Sequence, residues 1–108
     1  MAITRPQNFD KVGVLESSIE KFLVEEVERR GGKCEKVRTI GSRGFFDRFV
    51  ALPGGFIALV ELKKPKGGRL SPHQRDRIVS YQRLGARVRV CCTKKEVELL
   101  MDEYEAQA

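Results

Sequence analysis

A chain of 108 residues suits one domain with a real core and leaves no room for a second. Its 21 Lys and Arg against 15 Asp and Glu give a formal charge of +6 and a pI near 9.5, a balance that suits a polyanionic partner. The single histidine, His73, leaves little for His-based metal sites or for Ser/His and Cys/His catalysis, and Cys34, Cys91 and Cys92 follow neither a disulfide framework nor a zinc spacing. The apolar runs are too short to span a membrane, and the N-terminus lacks the basic-then-apolar plan of a signal peptide, so a reducing, cytoplasmic setting is expected.

Residues 1 to 12 lack periodicity and are expected to form a loose arm ahead of one domain over 13 to 108. From Val14 to Arg30 the apolar residues Leu15, Ile19, Phe22, Leu23 and Val27 recur at three- and four-residue spacing, which predicts an amphipathic helix stopped by Gly31 and Gly32. On the helical wheel Glu16 sits at the edge of this stripe and Glu20 lies further round toward solvent. Glu16 is therefore the better placed to reach a site beside the core. An acid in the first turn also complements the helix dipole without any further role, and Glu26, within the stripe, shows that position alone decides little.

Cys34 to Ile40 reads as a first strand, and Gly41 to Gly44 as a flexible basic loop carrying Arg43. The next stretch, Gly44 to Gln74, reads as a hairpin followed by a capped helix. Phe56 to Leu62 is nearly continuous in apolar residues, as expected of a central strand covered on both faces. Strand residues two apart share a face, so Glu61 and Lys63 project together while Leu62 turns the other way. If Pro53, Gly54 and Gly55 form a three-residue loop, Leu52 pairs with Phe56, and Asp47 lies opposite Glu61 on the same face. A two-residue loop would bring Arg48 opposite Glu61 and send Asp47 to the far face. Two carboxylates this close repel each other, and a divalent cation removes the conflict: carboxylates, a backbone carbonyl, waters and a substrate phosphate are the ligands Mg²⁺ prefers. A lysine beside them can orient water and offset phosphate charge. An ordinary charged strand terminus accounts for Glu61 and Lys63 alone; Asp47 and the helix that follows shift the balance toward a site.

Pro65 to Leu70 is a Gly-rich basic loop. Ser71 then reads as an N-cap with Pro72 at the first helical position and Gln74 completing a capping box. This helix is expected to run to Leu84, burying Ile78, Tyr81 and Leu84, with His73 on the surface. Arg87 to Cys92 alternates Arg with Val88, Val90 and Cys92, predicting a strand with one face inward. Thr93 and Glu96 form a second capping box ahead of a helix whose core side carries Val97, Leu100, Met101 and Tyr104. The order helix, three strands, helix, strand, helix describes an α/β sandwich on a mixed sheet, the middle helix carrying the chain across to a parallel final strand.

Taken together, the early Glu16, the Gly44-Phe45-Phe46-Asp47 segment, the Pro53-Gly54-Gly55 turn, Glu61-Leu62-Lys63 and Leu70-Ser71-Pro72-His73-Gln74 resemble the VRR-NUC domain of the PD-(D/E)XK nuclease superfamily over Leu15 to Tyr104. An isolated E-x-K is weak, whereas this ordered set is specific. One residue departs from the pattern: the superfamily's proline before the first aspartate is Phe46 here, a change of backbone shape and not of metal chemistry.

The resemblance implies a restriction-endonuclease-like core with a mixed sheet of about four strands. It implies that Asp47 and Glu61, helped by the Leu62 carbonyl and by Glu16, hold one or more Mg²⁺ or Mn²⁺ ions. Lys63 would position the attacking water, and Glu16 and Gln74 would support the site from neighbouring helices. Hydrolysis in line would leave a 5′-phosphate and a 3′-hydroxyl. Small stand-alone members, typical of phages and bacteria, are similar to homodimeric Holliday-junction resolvases, which makes DNA, above all branched DNA, the expected partner and the cytoplasm of a bacterium or infected host the expected location. Arg43, Lys64, Lys66, Arg69, Arg75 and Arg77 flank the acids and are candidates to track phosphates, although a charge run is also commonly just a solvated face. Two Tyr and no Trp argue against an aromatic base-stacking platform. The alternatives are a nuclease for flaps, nicked DNA or RNA, and a basic nucleic-acid-binding module without turnover.

Overall fold

The computed structural model describes residues 14–38, 45–64 and 68–108, with side chains from residue 18 onward in the first of these. The elements are α1 (Val14–Arg29), β1 (Lys33–Lys36), β2 (Arg48–Leu52), β3 (Phe56–Leu62), α2 (Pro72–Arg83), β4 (Val88–Cys91) and α3 (Lys94–Gln107). The four strands lie in chain order in one sheet, antiparallel from β1 to β3 and parallel between β3 and β4. The arm expected over residues 1 to 12 lies outside the described residues. The expected first strand ends at Lys36, although the Val37 amide still donates to the Asp47 carbonyl at 3.1 Å.

One face of the sheet carries the main core. Ile19, Leu23 and Val27 from α1 and Val97, Leu100 and Met101 from α3 close over Cys34, Val50, Leu52, Phe56, Ala58, Val60 and Leu62. The other face carries a smaller cluster in which Ile78 of α2 packs with Phe46 and Val88, with Phe45, Leu59, Leu70, Tyr81, Ala86 and Val90 around them. Both downstream helices begin with complete capping boxes, Ser71 with Gln74 and Thr93 with Glu96, as their sequences predict.

Three expectations are corrected. The β3 strand is not covered on both faces throughout: Ile57 is 41% exposed, because α2 reaches only part of that side. Leu84 is 81% exposed rather than buried, because α2 ends at Arg83 and the chain turns away before a further helical turn can bring it inward. In β4, Cys91 is more deeply buried than Cys92 or Val90, because Arg89 and Cys91 also face an element, α3, to which Arg89 is tied through Glu103 at 2.8 Å. Burial pushes the Cys91 thiol up to about 12 and the Cys34 thiol up to about 11.

The hairpin turn sets the register. Gly54 and Gly55 adopt φ of 89° and 86°, left-handed conformations that a side chain resists, and with Pro53 they form a three-residue turn. Leu52 therefore pairs with Phe56, and the ladder runs in step back to Arg48 opposite Val60. The two-residue alternative, with Arg48 opposite Glu61, is not adopted.

Glu26, near the α1 C-terminus where a negative charge is unfavourable, is held by Arg29 at 2.6 Å and Arg30 at 2.9 Å. Hydrogen bonds from Arg29 and then Arg30 lower its pKa below the ordinary 4.5. A carboxylate whose pKa is depressed by folding stabilises the fold above its unfolded pKa and loses that contribution as pH falls through the folded value. Glu26→Gln is accordingly expected to cost about 0.5–1 kcal/mol at pH 7, a difference that thermal melts should show shrinking below pH 4.5.

Candidate active site

Continuing the β2–β3 register one step beyond Arg48 and Val60 brings Asp47 opposite Glu61, at the end of the sheet where β3 leads toward α2. The side chain of Asp47 crosses to the neighbouring strand: its Oδ2 accepts the Leu62 amide at 2.8 Å, completing the ladder where backbone pairing has stopped. In an antiparallel pair one residue sends its N–H and C=O toward the same neighbour, so the Leu62 carbonyl also points to the Asp47 side. The Leu62 side chain turns the other way into the main core.

Glu61 is only 2% exposed, the one buried charged residue among those described. Gln74 donates from Nε2 to its Oε2 at 2.7 Å, and the Lys63 ammonium lies 3.9 Å from the same oxygen. Gln74 meanwhile accepts the Ser71 amide through Oε1 at 2.9 Å, so the capping box and the contact to Glu61 coexist in one side chain. Lys63 falls one residue past the end of β3, but its amide still bonds the Cys91 carbonyl at 3.1 Å and keeps it extended. Its ammonium is partly exposed, near the Cys92 thiol, whose pKa burial raises.

The oxygen donors gathered here are two carboxylates and a strand carbonyl. Mg²⁺ is commonly held by one or two carboxylates with waters and phosphate completing the shell, so these residues fit such an ion. Among the described residues no third His, Cys, Asp or Glu joins them. The side chain of Glu16 lies outside the described residues. Glu20, expected toward solvent, instead pairs with Arg48 at 2.8 Å, because Arg48 points to the α1 side of the sheet and needs a counter-ion there.

A solved structure described as a VRR_NUC domain is similar to this chain with a TM-score of 0.77 and 33% identity, covering 83% of this chain and 97% of that one. The chain belongs to the VRR-NUC family. The mixed four-stranded sheet and three helices of the described residues form the restriction-endonuclease-like α/β fold of that family. Over 61 residues the chain is also 49% identical to "Putative nuclease p44" of Acyrthosiphon pisum secondary endosymbiont phage 1, a match spanning 56% of this chain and 64% of that protein's length. No protein-family model matches the chain.

Within this VRR-NUC domain the basic candidates separate. Lys64, Arg69 and Arg75 are exposed, and Arg75 donates to the Leu70 carbonyl at 3.2 Å. Arg43 and Lys66 lie outside the described residues. Arg77 is turned inward, donating to the Phe45 carbonyl at 3.2 Å with its guanidinium 5.2 Å from the centre of the Phe46 ring. Charge alone ranks Arg77 with the phosphate contacts. Its spacing of three from Gln74 and four from Tyr81 puts it on the inner stripe of α2, and that spacing is the signal the sequence offers.

Proposed function

We propose that this protein is a metal-dependent, structure-selective DNA endonuclease, acting as a homodimer on four-way junctions. The observation that carries the reading is Glu61, an acid 2% exposed, in register with Asp47 and flanked by Lys63 at 3.9 Å. Burying one carboxylate beside another costs free energy, and a module that only binds phosphate gains nothing from it.

Asp47, Glu61 and the Leu62 carbonyl would hold Mg²⁺ or Mn²⁺, with Glu16 a further candidate. A divalent cation so held supplies Lewis-acid stabilisation of phosphate charge and acidifies water. Asp47 commits Oδ2 to the Leu62 amide, which fixes the rotamer and leaves Oδ1 to coordinate. Gln74 holds Glu61 in place by donating to its Oε2. Lys63 orients the attacking water and offsets charge on the phosphate as it develops. Attack in line leaves a 5′-phosphate and a 3′-hydroxyl.

Paired incision of a four-way junction requires two copies of a domain this small, related by a two-fold axis. Phe49 and Ile57, 38% and 41% exposed on the sheet face that also carries the acids, support a contact between copies. Phe45, by contrast, packs against Phe46 and Tyr81 within its own chain.

The deciding experiment is cleavage of a labelled four-way junction beside a flap, a nicked duplex and a linear duplex, with Mg²⁺, Mn²⁺ or EDTA. Symmetric metal-dependent incision of the junction by wild type, lost in Asp47→Ala and Lys63→Ala, is expected. Preference for the flap or nick would reassign the substrate, and binding without cleavage under every metal would leave a DNA-binding module. Replacing Lys64, Arg69 and Arg75 together by Ala is expected to reduce the slope of log K against log salt by about 0.9 for each phosphate that is no longer neutralised. An unchanged slope would mark these residues as a solvated face.

A further inference from the structure

The residues immediately before Asp47 are held from outside the hairpin. Phe46 is 1% exposed, and its ring meets Phe45 at 4.6 Å and Tyr81 at 5.4 Å, both edge to face. Phe45 closes the triangle with Tyr81 at 5.5 Å. Arg77 completes the enclosure: Nη2 donates to the Phe45 carbonyl at 3.2 Å, the guanidinium faces the Phe46 ring, and Nε is buried without a hydrogen-bond acceptor among the described residues. A buried N–H without an acceptor is unfavourable, so this inward placement is not the one solvation alone would select. The Phe45 carbonyl belongs to the peptide that enters Phe46, the position at which the superfamily pattern has proline. Proline restrains its own φ and the residue before it covalently. Here the same peptide is restrained by contacts from α2.

Gln74, Arg77, Ile78 and Tyr81 follow one another at the spacing of a single helical stripe. Gln74 holds Glu61 directly, while Arg77, Ile78 and Tyr81 hold the segment that delivers Asp47. We propose that Arg77 is a positioning residue that sets Asp47 relative to Glu61 through the Phe45–Phe46 peptide, and is not a phosphate contact. Its consequence for metal binding rests on the nuclease reading above; its consequence for Asp47 does not.

The test compares wild type with Arg77→Met and Arg77→Lys. Exchange of the Leu62 amide, which Asp47 accepts, reports the position of the aspartate without metal or substrate. It is expected to quicken about tenfold in Arg77→Met, with the Val60 amide unchanged. Calorimetry is expected to show Mn²⁺ affinity weakened about 10- to 100-fold, with kcat falling in step while KM and the salt slope of DNA binding stay as in wild type. Lysine keeps the charge but lacks the planar fork that spans carbonyl and ring, so Arg77→Lys is expected to show the same pattern more mildly. It decides the matter if the methionine variant does not fold. Wild-type exchange and Mn²⁺ affinity with a reduced salt slope and a raised KM would overturn the proposal and return Arg77 to the phosphate contacts. If wild type itself binds no Mn²⁺, the nuclease reading fails, and Leu62 exchange still decides the role of Arg77.

Discussion

Asp47→Asn and Glu61→Gln are expected to lower the rate of metal-dependent DNA cleavage by about 10³-fold or more while leaving the protein folded. The pair of changes isolates charge from shape. Asparagine can still accept the Leu62 amide through its side-chain oxygen, so the strand contact at 2.8 Å survives while the negative charge is removed. Glutamine at position 61 can likewise still accept from Gln74. Because Glu61 is buried beside a second acid, removing its charge is expected to leave the melting temperature the same or to raise it, the usual relation between a strained site and stability. Single-turnover cleavage and thermal melts on the same preparations check both halves. Retained cleavage in either variant would remove that carboxylate from the site, and a collapse of the fold would mean that its charge serves structure.

The largest effect on stability is expected at Gly32, which lies well away from the acids. A Cβ at this position would stand 2.4 Å from the Ala51 carbonyl oxygen and 2.7 Å from Leu52 Cδ2. The first of these is backbone of a paired strand and cannot rotate aside. Gly32→Ala must therefore push α1 and β1 away from β2, and is expected to cost about 3 kcal/mol, or about 10–20 °C in melting temperature for a domain of this size. Gly54→Ala and Gly55→Ala make a useful contrast. A Cβ at either meets nothing within 4 Å, so only the left-handed backbone resists it, at about 1 kcal/mol. Those smaller losses matter for another reason, since the turn sets the register that brings Asp47 opposite Glu61.

Much of the fold is legible in the sequence because its signals are local. The capping boxes at Ser71 and Thr93, the helical spacing of Ile19, Leu23 and Val27, and the Pro53-Gly54-Gly55 turn each depend on residues a few positions apart. The facing of Asp47 and Glu61 follows from counting across that turn, since strand period and loop length together leave few registers. Local reasoning fails where a second element decides. Spacing assigns Leu84 to the core, yet it is exposed, because where a helix stops depends on what its end packs against. The helical wheel assigns Glu20 to solvent, yet it is paired with Arg48, since a wheel carries no information about the sheet beside it.

The order of elements is written in the chain, as a matter of period and cap, and counting across the hairpin turn reduces the β2–β3 pairing to two registers, of which the fold adopts the one that puts Asp47 and Glu61 on one face. Which basic residues face solvent and which turn inward is settled by packing: the spacing of Arg77 from Gln74 and Tyr81 names a stripe of α2 but not what that stripe packs against. Arg75 and Arg77 are two residues apart on one helix, yet the first lies exposed and the second is spent on the Phe45 carbonyl and the Phe46 ring. That difference arises when α2 docks on the segment before Asp47, and a contact between residues 32 apart in the chain leaves no mark in local composition.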